Sequence, residues 1–268
     1  MSLFFKATNL NIVSQNIIND CSGLLLELDE EFYDTSVSID EYLKHIVGTV
    51  RKPVKILYLT RQFDASGNLI CGGLNSLLYE KNMEIFKKAS SLAQALATEN
   101  KQEVMVVIGN DLAGFDVSCS AKLVNIFMQC YTEFPNVIYG IENECLPNSE
   151  SIGYEYFLPK LHNDLVKGLR FFGNKIKIYS VLNIYNALDV INHYPVYGIN
   201  ISDYFRDMKE TIGLIHFTNC NGRSKVKSGD LDPLLSAYSG MGFSCPLVLD
   251  MPFIEYSDRF KSLLSNGV

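Results

Sequence analysis

Four separated stretches end in side chains that could do chemistry together: Glu142, the pair Asn183 and Asn186, His216, and Asp250. A carboxylate, an imidazole and a second carboxylate can ligate Zn²⁺ or Mn²⁺ and leave coordination positions open for water, with the Asn183 amide oxygen as a weaker donor. Such an ion acidifies its bound water and polarises a phosphoryl or carbonyl oxygen. Without an ion, Glu142 and Asp250 offer an acid and a base. Lys55, if it points inward, supplies an ammonium group in place of the ion and pairs with Glu142 or Asp250.

These residues act together only if the chain brings them to one face. Each closes an apolar, β-branched run: 136–142, 175–182, 212–217 and 246–250. Such runs, buried on both sides, are the mark of parallel strands, whose carboxyl ends present polar groups. Strand-like segments recur near residues 4, 24, 55, 105, 138, 178, 214 and 248, most of them separated by helical periodicity such as 40–47, 79–98 and 122–130. Repeated βα units in 268 residues match the ~250 residues of a (β/α)₈ barrel. No glycine-rich phosphate fingerprint follows the first strand, which disfavours a doubly wound sheet. The expectation is an α/β fold, a single TIM barrel of residues 1–268. Its loop from Asp64 to Asn75, with Gly72-Gly73, suits an excursion over the mouth.

Composition narrows the function classes. Hydrophobic residues make up 47% and charged residues 20%, enough apolar surface for a sizeable core. Seven cysteines without C-x-x-C spacing argue against a disulfide framework and a zinc ribbon. No apolar run reaches the ~18 residues of a membrane span, and the first residues do not form a signal peptide. A soluble, intracellular, cytoplasmic protein with no membrane partner is expected. A net charge of −7 disfavours general attraction to nucleic acid, leaving Arg223, Lys225 and Lys227 as the one basic loop cluster. His45 and His162 fall on helices and read as surface or packing residues. His193 falls in a loop after Asn186, while Tyr185 and Phe217 could stack on a sugar or base, although packing is their commoner fate.

The four segments, in this order, resemble motifs of the endonuclease IV family, the zinc-dependent apurinic/apyrimidinic endonucleases within the larger group of xylose isomerase-like barrels. Ile141-Glu142-Asn143-Glu144 with Ile152-Gly153-Tyr154 resembles the family's L-E-N-T strand end and glycine turn, and 181–187 is similar to L-D-T-x-H-A. His216-Phe217-Thr218-Asn219 resembles H-L-N-D, and 245–252 resembles I-P-L-I-L-E-T-P. The resemblance covers residues 104 to 252; before that it rests on βα order alone. It implies that Glu142, His216, Asp250 and Asn183 hold metal, with Glu142 and Asp250 catalytic and Asp250 orienting the attacking water. Asn186, Lys55, Tyr58, Asn219 and Arg223 then fall on substrate-binding positions.

The departures matter as much. The family's ligand Asp and His in L-D-T-x-H fall on Asn183 and Asn186, its strand-end H-P-G falls on Ile108-Gly109-Asn110, and its last Glu is Asp250. A trinuclear zinc cluster needs anionic and imidazole ligands that Ile108 does not supply, so the expectation is one Zn²⁺ or Mn²⁺ ion, or none. Three functional readings follow from the resemblance. The first is a metal-dependent phosphodiesterase acting at abasic sites in DNA repair. The second is a single-metal sugar or sugar phosphate isomerase or epimerase. The third is an inactive barrel that binds a protein partner.

Overall fold

The computed structural model describes residues 2–7, 21–33, 36–59, 62–63, 69–71, 79–109, 117–143, 158–172, 176–217, 234–238, 240, 242, 245–250, 258 and 260–262. In chain order its strands are β1 (Leu3–Ala7), β2 (Gly23–Glu27), β3 (Val54–Leu59), β4 (Gln62–Phe63), β5 (Leu69–Cys71), β6 (Val104–Gly109), β7 (Val137–Glu142), β8 (Ile178–Asn183), β9 (Ile212–Phe217) and β10 (Leu247–Leu249). Among the described residues, β1, β2, β3, β6, β7, β8, β9 and β10 close into a barrel in that order, β10 returning to β1, with every neighbouring pair parallel. All the strand positions expected from the sequence are found, and the fold is a (β/α)₈ barrel.

The helices are α1 (Glu30–Tyr33), α2 (Ile39–Thr49), α3 (Tyr79–Asn100), α4 (Val117–Glu133), α5 (Pro159–Phe172), α6 (Ile184–His193) and α7 (Ile201–Asp207). Local chemistry sets several boundaries. Ser38 and Glu41 form a reciprocal capping box at the start of α2, as do Asn200 and Asp203 at α7. Pro159 opens α5, where its missing N–H costs no helical bond. None of the helices among the described residues is long and apolar enough to cross a membrane.

Two elements depart from the sequence reading. The stretch after Asn183, expected to be a loop containing His193, is α6. Asn183 caps it by accepting the Asn186 N–H at 3.2 Å, and Ile184, Ala187 and Val190 bury its apolar face. His193 consequently lies at the far end of that helix, exposed and beside Asp189, away from the strand ends. Within the expected 64–75 excursion, Leu69–Cys71 pairs antiparallel with Gln62–Phe63; residues 64–68 and 72–75 lie outside the described set.

Strand alternation divides the core into two shells. Outward residues such as Leu26, Leu57, Val106, Tyr139 and Ile141 pack with Phe86, Leu92 and Phe127 of α3 and α4; Leu182, Ile215 and Leu249 pack with Tyr204, Phe205 and Phe260. Inward residues Phe4, Leu25, Ile56, Val107, Val181, Leu214 and Val248 fill the barrel itself. Strand β7 contributes Gly140 at this level. A Cβ there would lie 2.7 Å from Val181 Cγ2 and 3.1 Å from Val107 Cγ2, so the larger neighbours occupy its space. This apolar plug is the floor on which the polar groups stand.

Candidate functional site

Because strand side chains alternate, the next inward position lies two residues further along each strand. Counting from the plug, those positions are Lys6, Glu27, Tyr58, Gly109, Glu142, Asn183 and His216, with Asp250 just beyond the end of β10. The apolar interior thus gives way in one step to a polar layer at the carboxyl ends.

His216 is the hub of that layer. Its Nδ1 lies 3.1 Å from Glu142 Oε2 and its Nε2 3.1 Å from Asp250 Oδ1. Burial works against a charged ring, but Asp250 and then Glu142 outweigh it and push the His216 pKa up to about 9. The imidazolium therefore holds one carboxylate on each side. Glu142 is satisfied further at Oε1, which accepts from Tyr58 Oη at 2.7 Å and Asn183 Nδ2 at 2.9 Å. Burial, with Glu142 adjacent, raises the Tyr58 phenol far above its ordinary range, so Tyr58 is a donor here.

Asn183 has two partners. Its Nδ2 donates to Glu142 while its Oδ1 caps α6. Asn143 fixes its backbone reciprocally, accepting the Asn183 N–H at Oδ1 (2.6 Å) and donating Nδ2 to the Asn183 carbonyl (3.2 Å). Asn186 donates its Nδ2 to the Asn143 carbonyl at 2.7 Å and so braces the same joint between β7 and α6.

Lys6 enters from β1, the strand between β10 and β2. Its Nζ lies 3.2 Å from Glu27 Oε2, 3.8 Å from Asp250 Oδ2 and 5.3 Å from the Tyr58 ring centroid. Burial opposes this charge as well, but Asp250, Glu27 and Glu142 more than offset it and raise the Lys6 pKa. Side-chain exposure climbs from 1% at His216 and 3% at Glu142 to 10% at Asp250, 14% at Lys6 and 22% at Glu27. Burial thus eases from His216, Glu142 and Asn183 toward Asp250, Lys6 and Glu27.

The structure brings together Glu142, Asn183, His216, Asp250 and Tyr58 of the residues singled out from sequence, and places Asn186 against them as a brace. Lys55 stands apart. It is near the amino end of β3, where a Cβ on Gly23 would lie 2.8 Å from its Cγ, and burial lowers its pKa. The ammonium at the mouth belongs to Lys6. Asn219 and Arg223 lie outside the described residues, with Lys225 and Lys227. Tyr185 and Phe217 are buried, Phe217 with its ring centroid 4.9 Å from that of Phe260. His162 is buried against β7, and burial drives its pKa down to about 4 despite the Ile141 backbone and Glu142. Lys6 and Glu27 were not among the candidates, yet each is a charge at the carboxyl end of an otherwise apolar run.

In this arrangement the donor set does not fit a divalent ion. Both His216 nitrogens face carboxylate oxygens, the Asn183 oxygen is committed to a helix cap, and an ammonium group stands beside Asp250. Among the described residues no group of three or more His, Cys, Asp and Glu side chains is disposed to hold a metal.

No protein-family profile and no curated protein matches the sequence. Solved structures do match its shape. The 3-keto-D-glucoside 4-epimerase YcjR from E. coli has a TM-score of 0.59 and 11% identity, over 99% of both chains. A xylose isomerase domain protein from Planctomyces limnophilus has a TM-score of 0.58 and 11% identity, over 98% of this chain and 93% of the other. The fold is that of a xylose isomerase-like barrel. Endonuclease IV from Thermus thermophilus has the same likeness at a TM-score of 0.51 and 11% identity, over 99% of this chain and all of the other. At such identity these similarities speak for the xylose isomerase-like barrel as a fold, and the chemistry rests on the side chains.

Proposed function

We propose that this xylose isomerase-like barrel is a proton-transfer enzyme acting on an α-hydroxy carbonyl compound of the sugar or sugar phosphate class. One observation carries the reading: the Lys6 ammonium, on the less deeply buried side of the polar layer, is flanked by two carboxylates, Glu27 at 3.2 Å and Asp250 at 3.8 Å. Asp250 removes the proton from the hydroxyl-bearing carbon and returns it to the adjacent former carbonyl carbon. Lys6 stabilises the charge on the enediolate oxygen, and Glu27 carries the hydroxyl proton from one oxygen to the other. The product is the isomer, with no electrons gained or lost. His216 and Glu142 do not touch the substrate; their ion pair holds Asp250 in place.

The abasic-site phosphodiesterase suggested by the motifs calls on Glu142, His216, Asp250 and Asn183 as ligands, and here their hydrogen bonds already go to one another and to α6. The epimerase named among the similar structures also supports sugar chemistry for this fold. The test is incubation with a panel of aldoses, ketoses and their phosphates in D₂O, following deuterium at the carbon beside the carbonyl by NMR. Exchange is expected with at least one sugar, falling by ~100-fold or more in Asp250→Asn. Cleavage of an abasic-site duplex with no sugar exchange would overturn the proposal.

A further inference from the structure

We infer that Gly109 is the position that sets substrate length: the bare end of β6 is where the sugar chain beyond the reacting carbons lies. This rests on the proton-transfer reading and adds to it which sugars fit.

Exposure divides the polar layer into two arcs. Glu142, Asn183, His216 and Asp250, contributed by β7 to β10, are buried, whereas Lys6, Glu27, Tyr58 and Gly109, on β1, β2, β3 and β6, are half-buried. Those last four strands are consecutive neighbours in the barrel, so the half-buried positions form one continuous track. Its chemistry changes along the way. The Lys6 ammonium and the Glu27 carboxylate stand at one end, the Tyr58 ring follows with its centroid 5.3 Å from Lys6 Nζ, and Gly109 closes the other end with no side chain.

A glycine weakens a strand, and its usual reasons are a left-handed backbone, a bulge, a crowding neighbour or the close approach of a ligand. The first three do not hold at Gly109. Its φ is not positive, unlike those of Gly198 and Gly242. The pairing of β6 with β7 runs without a shift from Val104 opposite Val137 to Gly109 opposite Glu142. An added Cβ meets no described atom within 4 Å, whereas at Gly23, Gly140 and Gly213 it runs into a neighbouring side chain at 2.8, 2.7 and 2.6 Å. The fourth reason is left.

Position says which part of the ligand fills the room. Glu27 and Gly109 are two strands apart in the barrel order, on the order of 10 Å at the usual strand spacing. With the reacting carbons among Lys6, Glu27 and Asp250, the atoms that reach β6 are the far end of an extended five- or six-carbon chain, passing the Tyr58 ring.

The test measures deuterium exchange in D₂O and sugar-induced melting shifts with aldoses and ketoses of three to six carbons, in the wild type, Gly109→Ala and Gly109→Leu. The wild type is expected to prefer the five- and six-carbon sugars. In Gly109→Leu the ratio of kcat/KM for a six-carbon over a three-carbon sugar should fall by ~100-fold, and in Gly109→Ala by less than ~10-fold. The rise in melting temperature that six-carbon sugars give the wild type should vanish in Gly109→Leu. An equal loss at every chain length overturns the inference, because it marks a disturbed barrel rather than a filled subsite. So does a folded Gly109→Leu that handles six-carbon sugars as the wild type does. Should Gly109→Leu not fold, the ratio in Gly109→Ala decides. A wild type that exchanges only three-carbon sugars overturns this inference and leaves the proton-transfer reading standing. If the wild type exchanges no sugar, that reading fails, and an absent melting shift with six-carbon sugars then overturns this inference as well.

Discussion

His216 and His162 are both fully enclosed, and the barrel asks opposite things of them. His216 sits between Asp250 and Glu142 and has its pKa raised to about 9, whereas His162 is driven down to about 4 by burial. In the unfolded chain each reverts to about 6.5. A group with a raised pKa contributes stability that is whole below its unfolded value and fades as pH rises through its folded value. For His216 that window runs from about 6.5 to about 9. His162 does the reverse, its contribution being whole above about 6.5 and lost as pH falls toward about 4. The urea midpoint of the wild type is therefore expected to fall on both sides of a maximum near pH 6.5. His216→Gln should flatten the alkaline limb alone, and His162→Gln the acid limb alone. A variant whose alkaline limb is unchanged would mean that the two carboxylates do not hold an imidazolium. The hub itself was legible from sequence, since Glu142, His216 and Asp250 each end an apolar run at a chemically distinctive residue. Lys6 was not, because a lysine near the start of a chain looks like an ordinary solvated charge until strand order places β1 between β10 and β2.

At the scale of elements, what aims these side chains is the packing of the strands beneath them, and Gly140 tests that claim. It is the inward residue of β7 two positions before Glu142, and a Cβ there would stand 2.7 Å from Val181 Cγ2, 3.1 Å from Met105 Sδ and 3.1 Å from Val107 Cγ2. Methionine can move aside, but the two valines belong to adjacent strands and are themselves buried. Gly140→Ala is expected to cost about 1–3 kcal/mol in a denaturant titration and to displace Glu142, seen as a shifted Tyr58 or His216 NMR signal. Gly109→Ala is the control. It points inward from β6 one layer above Gly140, opposite Glu142, with no described atom within 4 Å of its added Cβ, and should leave stability within roughly 0.5 kcal/mol. The strands were readable because each is a short buried run with its period unbroken. The helix α6 was missed for a physical reason: Asn183 and Asn186 read as a metal ligand and a substrate-binding residue at a strand end, yet the first is a helix cap and the second braces β7. A cap and a ligand call for the same polar side chain at a strand end, and only the direction of its hydrogen bonds separates them.

The whole molecule carries a net charge of −7, and this bears on which phosphates it can approach. Duplex DNA is bound by neutralising several backbone phosphates at once, which a negatively charged surface opposes at long range. A single sugar phosphate asks for much less, one or two cationic groups within reach of a recess that already orders its hydroxyls. The polar layer matches the smaller demand, since among the described residues its less buried cation is Lys6, flanked by Glu27 and Asp250. A fluorescent duplex containing an abasic-site analogue is therefore expected to show no saturable anisotropy change below ~100 μM protein at physiological salt, no tighter than non-specific binding. Binding at nanomolar protein with a steep salt dependence would show that cationic residues outside the described set, Arg223, Lys225 and Lys227 foremost, outweigh the net charge. In that case a Lys225→Glu/Lys227→Glu variant should lose affinity and part of the salt slope, because each lost phosphate contact lowers the slope by about one. An unchanged slope in that variant would place the DNA-binding surface elsewhere on the barrel.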